Sequence, residues 1–94
     1  MLKVNNYTNP MFNILPELYV REERDGIQLL DNDVLLALAD ASSYNPNSSY
    51  YKAEFDNWMN RYDATAHTVD DSEVAWDRAK DEGAKFLIIT RFDE

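Results

Sequence analysis

The segment KFLIITRF at residues 85–92 constrains the fold most, because it places apolar side chains on both faces of a β-strand. Successive side chains of a strand point to opposite faces, so Phe86 and Ile88 share one face and Leu87 and Ile89 share the other. A strand with two apolar faces is typical of the centre of a sheet that is covered on both sides. The alternative is that its second face meets a partner molecule.

The length of 94 residues predicts a single domain, 1–94, with one modest core. Hydrophobic residues make up 45% of the chain, an ordinary share for a globular domain, so the sequence is not that of a disordered acidic tail. Residues 1–13 show no clean period and are expected to form an irregular arm or to carry a short edge strand.

Residues 14–30 have the pattern of a β-hairpin. Leu18 and Val20 alternate with polar neighbours, which is the two-residue period of a strand. Asp25-Gly26 is a favourable turn pair because both residues tolerate the positive φ of a tight hairpin turn. A returning strand is then expected to start at Ile27.

Three helices are expected between the hairpin and the C-terminal strand. The first begins at the capping residues 31–33 and runs to about residue 42. The second covers about 50–63, and the third runs from about 70–72 to Gly83, a favourable C-cap. Residues 64–68 remain open, as a helix tail or a link. The predicted class is a small α+β domain with an N-terminal β-hairpin, three helices and a C-terminal strand that completes a mostly antiparallel sheet.

The charge is strongly acidic. Eighteen acids and nine bases give a net charge of −9, and residues 31–94 hold −8 of it. Such a surface repels nucleic acid and anionic membranes, so we expect neither as a direct partner and expect a basic protein surface instead. The chain has no cysteine, which excludes disulfides and thiolate metal sites. No metal or other cofactor is expected.

The most regular acidic feature is a row on the predicted third helix. Its members occur at i, i+3, i+7 and i+11, and they are Asp70, Glu73, Asp77 and Asp81. Neighbours in such a row lie about 5–6 Å apart, of the same order as the phosphate spacing of nucleic acid. A row held apart from bases would fit a basic groove built for nucleic acid. The alternative is a solvated face that maintains solubility.

Aromatic residues form a second candidate. Five apolar residues share one face of the predicted second helix, where they form the core or, alternatively, a stacking platform: Tyr51, Phe55, Trp58, Met59 and Tyr62. Tyr44 and Tyr50 lie off this face, beside an Asn/Ser-rich loop. Exposed tyrosines in such a setting are typical of protein interfaces, so we predict a partner-binding loop there.

The single histidine is a third candidate. On a helix, Asp63 and His67 would be neighbours at i, i+4, and Asp70 follows closely. These three residues suggest the alternative of a metal-dependent hydrolase, in which carboxylates orient the imidazole or share a metal ion with it. The competing interpretation is a surface histidine in a connecting segment, because no known catalytic motif is present.

In size and composition the chain resembles the small anti-defence proteins of bacteriophages, including anti-restriction and anti-CRISPR proteins. The similarity is one of kind and matches no motif. It implies a non-enzymatic inhibitor or adaptor that occupies the basic, nucleic-acid-binding surface of a partner enzyme or complex. The expected location is the cytoplasm, that of the host if the protein is phage-encoded. A second hypothesis is an aromatic and apolar interaction module that acts by oligomerisation, for example as a homodimer, with Leu36 among its contact residues.

Overall fold

The computed structural model describes residues 10–41 and 49–90, with backbone alone for residues 10, 12 and 49–51. The strands are β1 (Val20–Arg24), β2 (Ile27–Leu30), β3 (Ala64–Thr68) and β4 (Phe86–Thr90). The helices are α1 (Asp33–Ala41), α2 (Ser49–Arg61) and α3 (Ser72–Glu82). Two short 3-10 helices, Pro10–Asn13 and Pro16–Tyr19, precede β1. The prediction of a small α+β domain with an N-terminal hairpin and three helices is confirmed.

The four strands form one mixed sheet in the order β1-β2-β4-β3. β1 and β2 are antiparallel, whereas β4 runs parallel to both β2 and β3. The expectation of a mostly antiparallel sheet is therefore wrong. It failed because residues 64–68, left open as a helix tail or a link, form strand β3. Helix α3 then returns the chain across the sheet, and a helical crossover joins parallel strands.

Strand β4 lies at the centre of the sheet, as its two apolar faces predict. Phe86 and Ile88 are buried in one core, together with side chains of α1 and α2. Leu87 is buried in a second core, against α3. Both faces of β4 are thus covered from within the chain, so a partner is not needed to bury them.

The first core is built around Trp58 of α2, which is 0% exposed. Its indole Nε1–H donates to the carbonyl oxygen of Ile14 at 2.9 Å. Phe55, Met59 and Tyr62 pack against the same cluster. The aromatic face of the second helix is therefore part of the hydrophobic core and not a stacking platform. The side chain of Tyr51 falls outside the described residues.

The N-terminal region departs from expectation. Residues 10–13 form a 3-10 helix, and Met11 is fully buried in the first core, so this part is neither an irregular arm nor an edge strand. Residues 1–9 lie outside the described residues. β1 begins only at Val20, because a second 3-10 helix occupies 16–19 and leaves Leu18 77% exposed.

The hairpin turn follows its sequence signal. Asp25 has φ 52° and Gly26 has φ 85°. Two successive positive φ values are what a two-residue turn needs to match the twist of its strands. The turn places Arg24 and Ile27 opposite each other in the β1–β2 ladder. The arginine thereby reaches the α3 side of the sheet, where it becomes part of the candidate site.

Helix ends are set by the expected caps. The carboxylate of Asp71 accepts the backbone N–H of Glu73 at 3.0 Å and so starts α3. Gly83, with φ 68°, ends the helix in the left-handed conformation. Asp31 accepts the backbone N–H of Asp33 at 3.1 Å, at the start of α1. The capping role expected for residues 31–33 is thus carried by Asp31.

Helix α1 is less enclosed than its apolar sequence indicates. Val34 and Leu38 are buried, but Leu36 is 65% exposed. The inner face of α3 is formed partly by small residues, since Ala75 and Ala79 are fully buried against the sheet. Helices α1 and α2 thus lie on one face of the sheet and α3 on the other, which leaves the outward face of α3 to solvent.

Candidate functional site

The acidic row predicted on the third helix lies on the solvent side of the molecule. Glu73, Asp77 and Asp81 are exposed residues of α3. They are four residues apart, which corresponds to about 6 Å along the helix axis. Asp70 is also exposed, but it precedes the helix, because Asp71 is the N-cap. Three of the four predicted residues therefore share one helical row, and the fourth lies just before it.

One member of the row is paired with a base. Arg24 of β1 donates from Nη1 to Glu73 at 2.9 Å and from Nε to Glu22 at 2.7 Å. The hydrogen bond to Glu73, followed by that to Glu22, raises the pKa of the Arg24 guanidinium above its usual range. The expectation of a row held apart from bases is wrong at Glu73. It failed because the hairpin brings a residue 49 positions away into contact.

The other members remain unpaired. Within residues 10–41 and 49–90, Asp70, Asp77 and Asp81 form no ion pair. Lys80 lies on the same helix, but its Nζ contacts Asp25 in the hairpin turn at 3.4 Å. Lys80 is thus directed to the hairpin, and Arg78 of the same helix acts on the Glu82 carboxyl, whose pKa it helps to lower. The outward carboxylates of α3 are left available to a second molecule.

Contacts with the hairpin fix the position of the acidic helix. The guanidinium carbon of Arg24 lies 4.6 Å from the centroid of the Trp76 ring, a cation–π distance. Trp76 is 6% exposed and belongs to the second core. Together with the Lys80–Asp25 pair, this contact ties α3 to β1 and its turn at two points. The carboxylates therefore extend from a scaffold that packing holds in place.

The two tyrosines of the predicted binding loop have no described side-chain geometry. Tyr44 lies outside the described residues, and Tyr50 belongs to α2 with its backbone alone described. The loop therefore stays a prediction. Among the apolar candidates, exposed Leu36 remains accessible on α1. The apolar faces of β4 are covered, so they no longer support an interface.

His67 lies in strand β3 and has a partner that the sequence did not suggest. Its Nε2 is 3.2 Å from Oε1 of Glu82 and 3.2 Å from Oγ1 of Thr65. The Thr65 hydroxyl donates to the same Glu82 oxygen at 2.6 Å. This hydrogen bond, with a smaller contribution from His67 and against the effect of partial burial, lowers the pKa of the Glu82 carboxyl. Recognising this cluster requires knowing that 64–68 is a strand beside the end of α3.

The strand also removes the geometry assumed for a hydrolase. Residues four apart in a strand are separated by about 13 Å, so Asp63 and His67 are not neighbours as they would be on a helix. In the part of the chain that the structure describes, no group of three His, Asp or Glu side chains could hold a metal ion. The set Asp63, His67 and Asp70 is therefore not assembled as a metal site.

A groove of about 550 Å³ lies where β2 and β4 end. Its walls include Arg21 and Arg24 of β1, Asn32 before α1, and Ser72 at the start of α3. Crevices at the carboxyl ends of parallel strands are common ligand sites. Here the charge of Arg24 is offset by Glu22 and Glu73, so the groove attracts anions less than its two arginines suggest.

Comparisons with known proteins do not inform the function of this chain. Comparisons with protein-family models, curated proteins and solved structures found no match. Residues 10–41 and 49–90 contain no helix with the length and apolar character that crossing a membrane requires. The surface chemistry of α3 and of the sheet edges therefore carries the functional interpretation.

Proposed function

We propose that the protein is a non-enzymatic binding protein that occupies a basic, nucleic-acid-binding surface of a partner protein, as an inhibitor or adaptor. Its contact surface is the outward face of α3, with Asp77 and Asp81 at the centre and Asp70 at the edge. The observation that supports this most is that these exposed carboxylates are unpaired within the described residues, although the same helix carries bases.

Two features of helix energetics count against the placement of these acids. Like charges at i, i+4, such as Asp77 and Asp81, destabilise a helix. Asp81 also lies in the last turn, where the helix dipole disfavours negative charge. Glu82 in the same turn has a structural role through Thr65 and His67. Asp81 has no such contact, so binding to a basic partner is the better account of it.

The proposed mechanism is electrostatic. Carboxylates on one face steer the encounter with a positively charged surface and repel nucleic acid from the same place. The contacts of Arg24 and Lys80 hold α3 against the hairpin, so the acidic face is pre-organised for binding. Pre-organisation lowers the entropic cost of association. The partner class that fits is a protein whose groove normally binds a phosphate backbone.

The test is capture of partners from a host-cell lysate on the immobilised chain, with elution by salt from about 0.05 to 0.5 M, where screening becomes strong. Asp77→Lys/Asp81→Lys should weaken capture at low salt by at least about tenfold, equivalent to about 1.4 kcal/mol. The matched control is Glu23→Lys/Asp40→Lys. It makes the same change in net charge at exposed residues outside α3 and should retain capture.

Addition of double-stranded DNA should release the captured partner, because the proposal places both ligands on one basic surface. Equal losses from the two double variants would show that total charge alone matters. Retention of the partner at high salt, or in the presence of excess DNA, would contradict the proposed groove-binding role.

A further inference from the structure

The two edges of the sheet are protected very differently. The outer strand β1 carries exposed charged side chains, at Arg21, Glu22 and Glu23, and its register with β2 shifts between Val20 and Glu22. Charges and bulges are the usual devices that prevent edge-to-edge pairing of sheets. The other outer strand, β3, has the sequence ATAHT and pairs with β4 without a shift from residue 64 to residue 68. It has no proline, acid, lysine or bulge.

The hydrogen-bonding groups on the outer edge of β3 can be assigned. The carbonyl of Asp63 accepts from Lys85 at 2.8 Å, and the N–H of Val69 donates to Thr90 at 3.1 Å, so both residues bond toward β4. Backbone groups of a strand alternate between its two sides. Ala64, Ala66 and Thr68 therefore direct their N–H and C=O groups away from β4.

These outward groups have no backbone partner within residues 10–41 and 49–90. The side chains of Ala66 and Thr68 are exposed, so neither covers the edge. Three successive outward positions form a regular template for one further strand. Such an edge is a site for strand addition.

We propose that this edge pairs with β3 of a second copy of the chain, antiparallel and about a two-fold axis at Ala66. In this register Ala66 faces Ala66 of the other copy, and Ala64 faces Thr68 at both ends. Each of these is a position where residues exchange two hydrogen bonds, so all outward groups of both strands are satisfied at once. The resulting sheet has eight strands, twice the four of one copy.

Charge limits where two copies of the chain can meet. Each chain carries −9, so a self-contact must avoid the acidic surface. β3 contains no acidic residue and no lysine or arginine, and Nε2 of its His67 lies 3.2 Å from Glu82.

The same register makes a further contact on the α3 side of the sheet. Thr65 of each copy lies opposite His67 of the other, in a position without mutual hydrogen bonds. There the Cα atoms approach to about 4.5 Å. The two Thr65–His67–Glu82 clusters then lie next to each other across the axis. The interface is thus a backbone ladder flanked by polar side chains, and a five-residue ladder is expected to give a weak, reversible dimer.

Single cysteines test the register, because the chain has none of its own. Ala66→Cys places two thiols directly opposite, about 5.5 Å apart between Cα atoms, within the range for a disulfide. Mild oxidation should convert most of this variant to a covalent dimer. Thr68→Cys lies on the same edge and face, but its two copies are about 13 Å apart, so it should cross-link at least tenfold more slowly.

Sedimentation of the unaltered chain gives the second measurement. A dimer whose population rises with protein concentration is expected, and it should strengthen with salt because screening reduces repulsion between acidic copies. Ala66→Pro removes an outward N–H and should give a monomer, whereas Glu23→Lys on the other edge should not. Far-UV circular dichroism checks that each variant is folded.

Several results would overturn the inference. A monomer at all concentrations and salt levels would do so, as would equal cross-linking of Ala66→Cys and Thr68→Cys. Pairing of the edge with an unrelated extended peptide, without self-association, would assign the edge to a different partner. The inference is independent of the proposed function, and the two are distinguishable because salt should weaken partner capture and strengthen the dimer.

Discussion

The guanidinium of Arg24 lies over the indole ring of Trp76, 4.6 Å from its centroid, while two carboxylates hold it at its edges. One side chain of β1 therefore joins the hairpin to the acidic helix by an aromatic contact and by ion pairs. The planar guanidinium is suited to both roles at once, since it stacks on a ring and donates in its own plane.

Arg24→Lys tests that dual role. Lysine keeps the charge but loses the planar fork, so we expect the urea midpoint of unfolding to fall while the m-value stays constant. Arg21→Lys on the same strand is the matched control and should leave the midpoint nearly unchanged, because Arg21 is exposed. If both variants behave alike, charge alone accounts for the contribution of Arg24.

Trp58→Phe should lower the free energy of unfolding by about 2 kcal/mol, because it leaves a small cavity and deprives the Ile14 carbonyl of its donor. Tyr62→Phe is the control. It retains the ring that packs on Trp58, with 5.3 Å between ring centroids, and should change stability by less than about 0.5 kcal/mol. Chemical denaturation monitored by circular dichroism measures both. A comparable loss from Tyr62→Phe would argue against a special role for the indole N–H.

Thr65→Val should make the free energy of unfolding less dependent on pH in the acidic range. The pKa of Glu82 is lowered in the folded protein, chiefly by the Thr65 hydroxyl. Its carboxylate therefore stabilises the fold above the ordinary value of 4.5, and this contribution is lost as the pH falls through the lowered pKa. Glu82 is 45% exposed, so solvent screening keeps the effect below about 1 kcal/mol.

The measurement for this variant is urea unfolding at pH 7 and at about pH 3. The stability difference between the two pH values should be smaller in Thr65→Val than in the unaltered chain. Thr68→Val is the control, because the Thr68 hydroxyl contacts the Thr90 hydroxyl and no carboxylate. This variant should retain the full stability difference. An unchanged difference in Thr65→Val would show that His67 and Arg78 are enough to lower the pKa of Glu82.

Asp71→Ala should destabilise the protein by about 1 kcal/mol, because the carboxylate caps the N-terminus of α3 through the N–H of Glu73. Asp70→Ala removes the same charge from an exposed residue that makes no such bond and should cost less than about 0.5 kcal/mol. Thermal unfolding of the two variants distinguishes the loss of the N-cap from the loss of one negative charge. Equal effects would assign the loss to general electrostatics.

Local signals predicted much of the fold. The turn at Asp25-Gly26, the caps at Asp71 and Gly83, and the central position of β4 all follow from the conformations that neighbouring residues prefer. The relative direction of the strands could not be predicted from such local preferences. It depends on β3, whose small and polar residues carry no clear two-residue apolar period, and on a crossover that only the assembled sheet reveals.

The candidate site was predictable in its residues but not in its contacts. Helical spacing alone placed Glu73, Asp77 and Asp81 in one row. The pairing of Glu73 with Arg24, and of His67 with Glu82, joins residues that are distant in sequence. Such contacts depend on how the sheet brings elements together, so periodicity cannot supply them.

The central position of β4 has a consequence during protein synthesis. β2 and β3 do not touch in the sheet, and each is joined to it through β4, which follows both in the sequence. A nascent chain therefore holds its hairpin and all three helices before residues 86–90 leave the ribosome. Until then both cores lack β4 and expose apolar surface, the kind of surface that chaperones bind. Translation that stops before Phe86 should release a species prone to aggregation.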